Sequence, residues 1–276
     1  MAEPARVRRQ VLKAAVFVAA TMPLVLLVAR AFTDGLGANP IDKVTDETGT
    51  WTLRFLLLTL AALQHECGAD RLSVHVADVR DRAAVASALR EFTSLAGGRL
   101  DALFANAGVL FMGPDETITP AQKDLLVDVN VKGVIHTVDA GFPHLAQTPG
   151  AHVVAMASTS AEYGSPQHAV YSATKFFVRG LTEALNIEYR EHGILVSAIY
   201  VAYVQTGMVF DAAVKPASIE RLGVKVTPQR VAEAVWKAVH GNRVHWRVGL
   251  DARLINLAVR VLGSGIAPIY RRIMSR

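Results

Sequence analysis

Cysteine is nearly absent. Cys67 is the single one in 276 residues, which excludes an intrachain disulfide and any cysteine-rich metal site. The nine histidines never fall at a His-x-x-x-His spacing, so no metal-ligating pair shares a helix face. A glycine-rich nucleotide loop is also missing. Gly35 and Gly37 begin such a pattern, but Pro40 stands where its third glycine belongs and no strand precedes it, so this stretch suits a turn-rich connector. The net charge of +5 and isoelectric point near 9.5 do not indicate nucleic acid, because the basic residues are dispersed. Their tightest cluster, Arg6, Arg8, Arg9 and Lys13, precedes an apolar run and suits a membrane flank.

Apolar residues are plentiful, at 51% with a mean hydropathy of +0.29, high for a soluble enzyme. Residues 14–29 carry no charge, and residues 11–32 as a helix reach about 33 Å, enough for a hydrocarbon core of about 30 Å. The expectation is a transmembrane helix over residues 11–32. It would place the N-terminus in the cytoplasm and the acidic stretch with Asp34, Asp42, Asp46 and Glu47 outside. A second apolar run, within residues 50–63, is too short to cross alone. The chain changes character near residue 62. Residues 1–62 are expected as a membrane-associated segment, in a bacterial inner membrane, and residues 63–276 as a large domain, expected on the cytoplasmic side if functional. The length also suits one large α/β domain with an appendage.

In that domain Tyr171 and Lys175 lie four residues apart, so a helix sets a phenol and an ammonium on one face. The positive charge is expected to lower the phenol's pKa toward a usable range. Thirteen residues before Tyr171, Ser158 follows the apolar run Val153, Val154, Ala155, Met156 and Ala157, which reads as a buried parallel strand. A hydroxyl at the C-terminal end of a strand faces the crevice where open α/β sheets bind ligands. Together the three fit proton transfer at a substrate oxygen. Helical periodicity covers residues 82–96 and 120–146. Residues 195–201 and 244–250 read as strands, and Thr227 with Pro228 opens a helix over 227–240. The tail, residues 254–274, mixes apolar residues with arginines and suits a helix packed on the domain, on another subunit or on a membrane surface.

These motifs, in this order, resemble the short-chain dehydrogenase/reductase family over about residues 63–276. The resemblance rests on Tyr171-x-x-x-Lys175, Ser158, the run Ala105-Asn106-Ala107-Gly108, Asp78-Val79 after a strand-like stretch, and Asn130 in Val129-Asn130-Val131. It implies an NAD(P)-dependent oxidoreductase acting on a small-molecule alcohol or carbonyl compound, possible homo-oligomer formation, and NAD or NADP as cofactor. Tyr171 would be the general acid/base, and Lys175 both the charge beside it and a ribose ligand. Ser158 would bond the substrate oxygen, and Asn130 would support a proton-relay water. Asp78 and Val79 would lie beside the adenine, Asn106, Ala107 and Gly108 would line the cofactor, and Thr206 would hold the carboxamide. Residues 209–226 stand where the substrate lid would be.

The first strand, glycine turn and second strand of that family have no counterpart here. The expected fold is therefore an α/β, truncated Rossmann-like doubly wound parallel sheet preceded by the transmembrane helix. Loss of the central first strand would expose an edge near residues 100–105. Residues 8–62, through Leu36-Gly37-Ala38-Asn39-Pro40 and Glu47-Thr48-Gly49-Thr50-Trp51, resemble the N-terminus of the haem-binding membrane subunit of the bacterial methionine sulfoxide reductase system. No haem role follows, since residues 1–62 contain no histidine. Two rival functions remain open: a catalytically impaired fusion or misassembled product, and a membrane subunit of a redox system.

Overall fold

The computed structural model describes residues 14–16, 26–27, 75–210 and 214–274. Its strands are β1 (Ala14–Val16), β2 (Leu26–Leu27), β3 (Val76–Ala77), β4 (Ala102–Ala105), β5 (His152–Met156), β6 (Leu195–Tyr200) and β7 (His245–Arg247). Its helices are α1 (Arg82–Leu95), α2 (Pro120–Val127), α3 (Gly133–Leu145), α4 (Ala169–Glu188), α5 (Gly207–Phe210), α6 (Ala217–Leu222), α7 (Pro228–Val239), α8 (Leu250–Leu262) and α9 (Ala267–Met274). β1, β4, β5, β6 and β7 form one sheet in that order, and every pairing in it is parallel.

Successive side chains of a strand point to opposite faces, and here both faces are buried. Val153 and Ala155 join Leu103, Val196 and Tyr200 in one core, with Val85 and Leu89 of α1, Val138 of α3 and Val178 of α4. Val154 and Ile199 join Val231 and Ala238 of α7 in the other. A sheet covered on both faces explains the unbroken apolar runs of β5 and β6, because parallel strands leave neither face to water.

Local signals set the helix starts. The Asp81 carboxylate accepts the Ala83 and Ala84 N–H groups at the head of α1. Thr119 and Gln122 form a reciprocal capping box at α2, with Pro120 in the first turn. The Thr227 hydroxyl accepts the Arg230 N–H at α7. The single helix expected over residues 120–146 is instead two helices joined by a π-helical turn, Asp128–Lys132. Such turns widen a helix by one residue and recur at functional sites, and this one carries Asn130. Where α3 begins, Gly133 lets the helix close on Val79: a Cβ there would lie 2.7 Å from Val79 Cγ2.

Two expectations are corrected at the N-terminal side. In place of a helix over residues 11–32, Ala14–Val16 is a strand, paired in register with Ala102, Leu103 and Phe104. Leu26–Leu27 is another, antiparallel to β3. The remaining residues of that stretch, and those of the second apolar run, lie outside the described residues. Among the described residues no helix is long and apolar enough to cross a membrane. The edge expected on β4 is likewise covered, because β1 meets it. An unpaired edge on β4 would leave backbone N–H and C=O groups without partners, and Ala14–Val16 pairs with it along Ala102–Phe104 as the end strand of the sheet.

Candidate active site

Three of the segments that end at the C-terminal rim of the sheet carry the site. Ser158 follows β5 and caps a short 3₁₀ turn, Thr159–Ala161, its oxygen accepting the Ser160 N–H at 3.1 Å. Tyr171 lies in the first turn of α4, near enough to Ser158 for that hydroxyl to favour the charged form of its phenol. One turn further on, Lys175 is 3% exposed and donates to the Met156 carbonyl at 2.9 Å. Its ammonium lies 5.6 Å from the centre of the Tyr171 ring. Gly108, on the loop after β4, closes the group: a Cβ there would fall 3.3 Å from Asn130 Oδ1 and 3.6 Å from Lys175 Nζ.

The expected lowering of the phenol is corrected. Burial pushes Tyr171 up to about 12, against the opposing influence of the Ser158 hydroxyl, and neighbouring Tyr203 adds to the rise. Burial also pulls Lys175 down to about 8. The ammonium is aimed at a carbonyl rather than at the phenol oxygen, so desolvation outweighs its charge.

Asn130 is fully buried. Its side chain accepts the Val109 N–H at 2.8 Å and donates to the Val109 carbonyl at 3.0 Å and to Thr174 Oγ1 at 3.2 Å. It therefore clamps the loop of Asn106, Ala107 and Gly108 to α4, one residue before Lys175. Asp78 and Val79 belong to a second cluster, at the start of α3. The Asp78 carboxylate accepts from the Arg80 backbone N–H at 2.9 Å and its Nε at 2.8 Å. The Val79 carbonyl meets His136 Nδ1 at 2.9 Å. Thr206 is half-buried on the loop after β6, its hydroxyl 3.4 Å from the Val204 carbonyl.

Motif matching did not point to several neighbours of Tyr171. His168 is buried, with its ring 6.2 Å from that of Tyr171 and 6.4 Å from that of Tyr203. Burial holds its pKa below the ordinary value. Tyr203 reaches Ser218 at 2.7 Å. Glu162, four residues after Ser158, is a buried carboxylate bound by Arg179 at 3.0 Å, Arg247 at 2.7 Å and Asn256 at 3.0 Å. Arg179 is the next residue after Tyr171 and Lys175 in an i, i+4, i+8 series on α4, the only sequence signal for this hub. Glu162→Ala would leave two arginines facing a vacated, largely buried site. The expected cost is about 3 kcal/mol, the lower end for a broken buried pair, because Arg179 and Arg247 keep 31% and 20% exposure. Urea unfolding measures it, and an unchanged midpoint would deny the hub any structural weight.

The family model for short chain dehydrogenase matches residues 50–215. Oxidoreductase UcpA of Escherichia coli K12 is 33% identical over 180 residues, covering 64% of this chain and 65% of UcpA, so the match spans just under two thirds of that relative. A 3-ketoacyl-(acyl-carrier-protein) reductase from Brucella melitensis, solved with NADH, is 29% identical with a TM-score of 0.56, covering 63% of this chain and 75% of that one. A short chain dehydrogenase/reductase from Burkholderia phymatum, solved with NAD, is 26% identical with a TM-score of 0.59, covering 70% and 74%. With the parallel sheet and the ordered Ser158, Tyr171 and Lys175, these matches establish that the chain belongs to the short chain dehydrogenase family.

Proposed function

We propose that this chain carries an NAD(P)-dependent oxidoreductase site that interconverts an alcohol and its carbonyl compound. The observation that carries the reading is the grouping of Ser158 beside the Tyr171 phenol with the buried Lys175 ammonium one helical turn away, 5.6 Å from the Tyr171 ring. A bound nicotinamide supplies the two-electron donor or acceptor, exchanging a hydride with the substrate carbon. The chain's own residues handle the oxygen. In oxidation the Tyr171 oxygen takes the hydroxyl proton while Ser158 holds the substrate oxygen by a hydrogen bond. In reduction Tyr171 returns that proton to the oxygen. Lys175 would reach the ribose from the face it shares with Tyr171, and Asn130 keeps the cofactor loop seated on α4.

The ribose and nicotinamide half of the cradle fits the group. Gly108 leaves space beside Asn130 and Lys175 that a side chain would fill. The NADH and NAD held by the solved relatives support the same cofactor class. Asn106, Ala107 and Thr206 would line the nicotinamide end. Asp78 and Val79 would lie at the adenine, where Asp78 must share its carboxylate with Arg80. Nicotinamide nucleotides would be met in the cytoplasm.

The pyrophosphate half is different, because the sequence contains no glycine turn to present backbone N–H groups at a helix N-terminus. Losing two charge-assisted hydrogen bonds, each about 1.5–3 kcal/mol, weakens binding by about 10²–10⁴-fold. The expected result of titrating NADH or NADPH by calorimetry is therefore weak binding. Turnover of alcohols at high nucleotide concentration would establish the enzyme, whereas none at saturation would favour the impaired fusion that the missing turn suggests. Micromolar affinity would show that another segment supplies the phosphate site.

A further inference from the structure

Helix α8 packs one side on the fold and turns an apolar stripe away from it. Ala252 is buried, and Ile255, Ala258 and Val259 cover Ile266 and Tyr270. Asn256 donates to Glu162. On the opposite side, Leu250, Leu254, Leu257 and Val261 are 68%, 53%, 58% and 73% exposed. Their spacing of four, three and four puts them on a single narrow line at about 3.6 residues per turn. A helix apolar on both sides is not at rest in water, so the outer stripe calls for an occupant.

Charge identifies it. Arg253 and Arg260 run along one flank of the stripe. Residues 250–276 hold five arginines against the single acidic Asp251, a net charge of +4 in a chain whose total is +5. We infer that α8 lies on an anionic lipid surface, with its leucines and Val261 among the acyl chains and Arg253 and Arg260 at the phosphates. Apolar insertion plus attraction to anionic headgroups is the ordinary logic of an interfacial helix. A second copy of the chain suits the stripe less well. Although the four-three-four spacing could serve as a coiled-coil seam, antiparallel pairing would set the arginine flanks against each other. Parallel pairing would set Arg253 opposite Ala258, so neither supplies the flanking ion pairs that fix such seams. Thirteen residues also make fewer than two heptads. This surface is separate from the reaction proposed above and stands or falls independently of it.

The test is vesicle flotation of the full chain, with phosphatidylcholine vesicles that contain or lack phosphatidylglycerol, at about 0.15 M salt. The parent chain should float preferentially with the anionic vesicles. Leu254→Glu/Leu257→Glu, at exposed positions that the fold does not use, should cut binding by at least about tenfold, since two leucines leave the apolar layer. Arg253→Gln/Arg260→Gln should weaken the preference for phosphatidylglycerol, and an unchanged preference would overturn the placement of these two arginines at the phosphates. Circular dichroism would verify that both variants remain folded. Parent binding that survives the leucine substitutions would overturn the proposal by locating attachment elsewhere, such as in residues 1–62. Absence of parent binding, or a dimer in sedimentation that the leucine variant splits, would overturn it in favour of a free surface or a second copy.

Discussion

Replacing Tyr171 by phenylalanine should lower kcat/KM by about 10²–10⁴-fold, the span of a lost general acid or base. The ring stays in place and only the oxygen leaves. Ser158 keeps the Ser160 N–H at 3.1 Å and the Val201 carbonyl at 3.5 Å, so the fold should be nearly untouched. Steady-state kinetics beside a circular dichroism melt separates the two effects. Near-full activity in the variant would remove Tyr171 from the chemistry. The pH profile adds a directional check. Because burial holds the phenol up at about 12, the protonated form needed for reduction persists across the neutral range. Reduction should thus stay almost flat there. Oxidation needs the deprotonated oxygen and should climb with pH. A flat oxidative profile would mean that a group other than Tyr171 takes the proton.

The pattern of residues made the central sheet legible because β5 and β6 are buried on both faces. Continuous runs such as Val153–Ala157 and Leu195–Tyr200 have no amphipathic alternative. The placement of the candidate residues on rigid elements was legible too: Ser158 follows a strand, and Tyr171 and Lys175 lie one turn apart on a long helix. Three features were hidden by context. The π-helical turn at Asp128–Lys132 has no periodic signature distinct from a helix, and only the fold shows Asn130 turned toward Val109. The partnership of Glu162 with Arg247 and Asn256 spans up to 94 positions, beyond any local pattern. Ala14–Val16 reads as part of a long apolar helix when taken alone. Its pairing is decided by β4, whose open backbone groups outweigh the local preference. The electrostatic expectation failed for a related reason. Sequence spacing gives the proximity of Lys175 and Tyr171 but not their desolvation, and burial turned out to be the larger influence on both.

Replacing Lys175 by methionine should abolish turnover and yet stabilise the chain. Lys175 is 3% exposed, and burial lowers its ammonium from the ordinary 10.5 to about 8. That fall corresponds to about 3 kcal/mol of strain on the charged form, at about 1.4 kcal/mol per pH unit. Below about pH 8 the lysine is protonated in both folded and unfolded chains, so the folded chain carries the whole cost. Between about 8 and 10.5 the folded chain has released the proton while the unfolded chain retains it. The unfolded state then binds more protons, so stability rises with pH across that window. Methionine of similar length removes the charge and forfeits the bond to the Met156 carbonyl, worth about 1 kcal/mol. The net gain at neutral pH is about 2 kcal/mol, or about 4–8 °C in Tm for a domain of this size. The variant should also lose the rise in stability above pH 8. A structural lysine held by an acidic partner would behave in the opposite way, with Tm falling on substitution. A higher Tm with no activity would therefore identify Lys175 as a cation kept in an unfavourable place for its work beside Tyr171. A lower Tm would show that a charge partner holds it and that its chemistry has been misread.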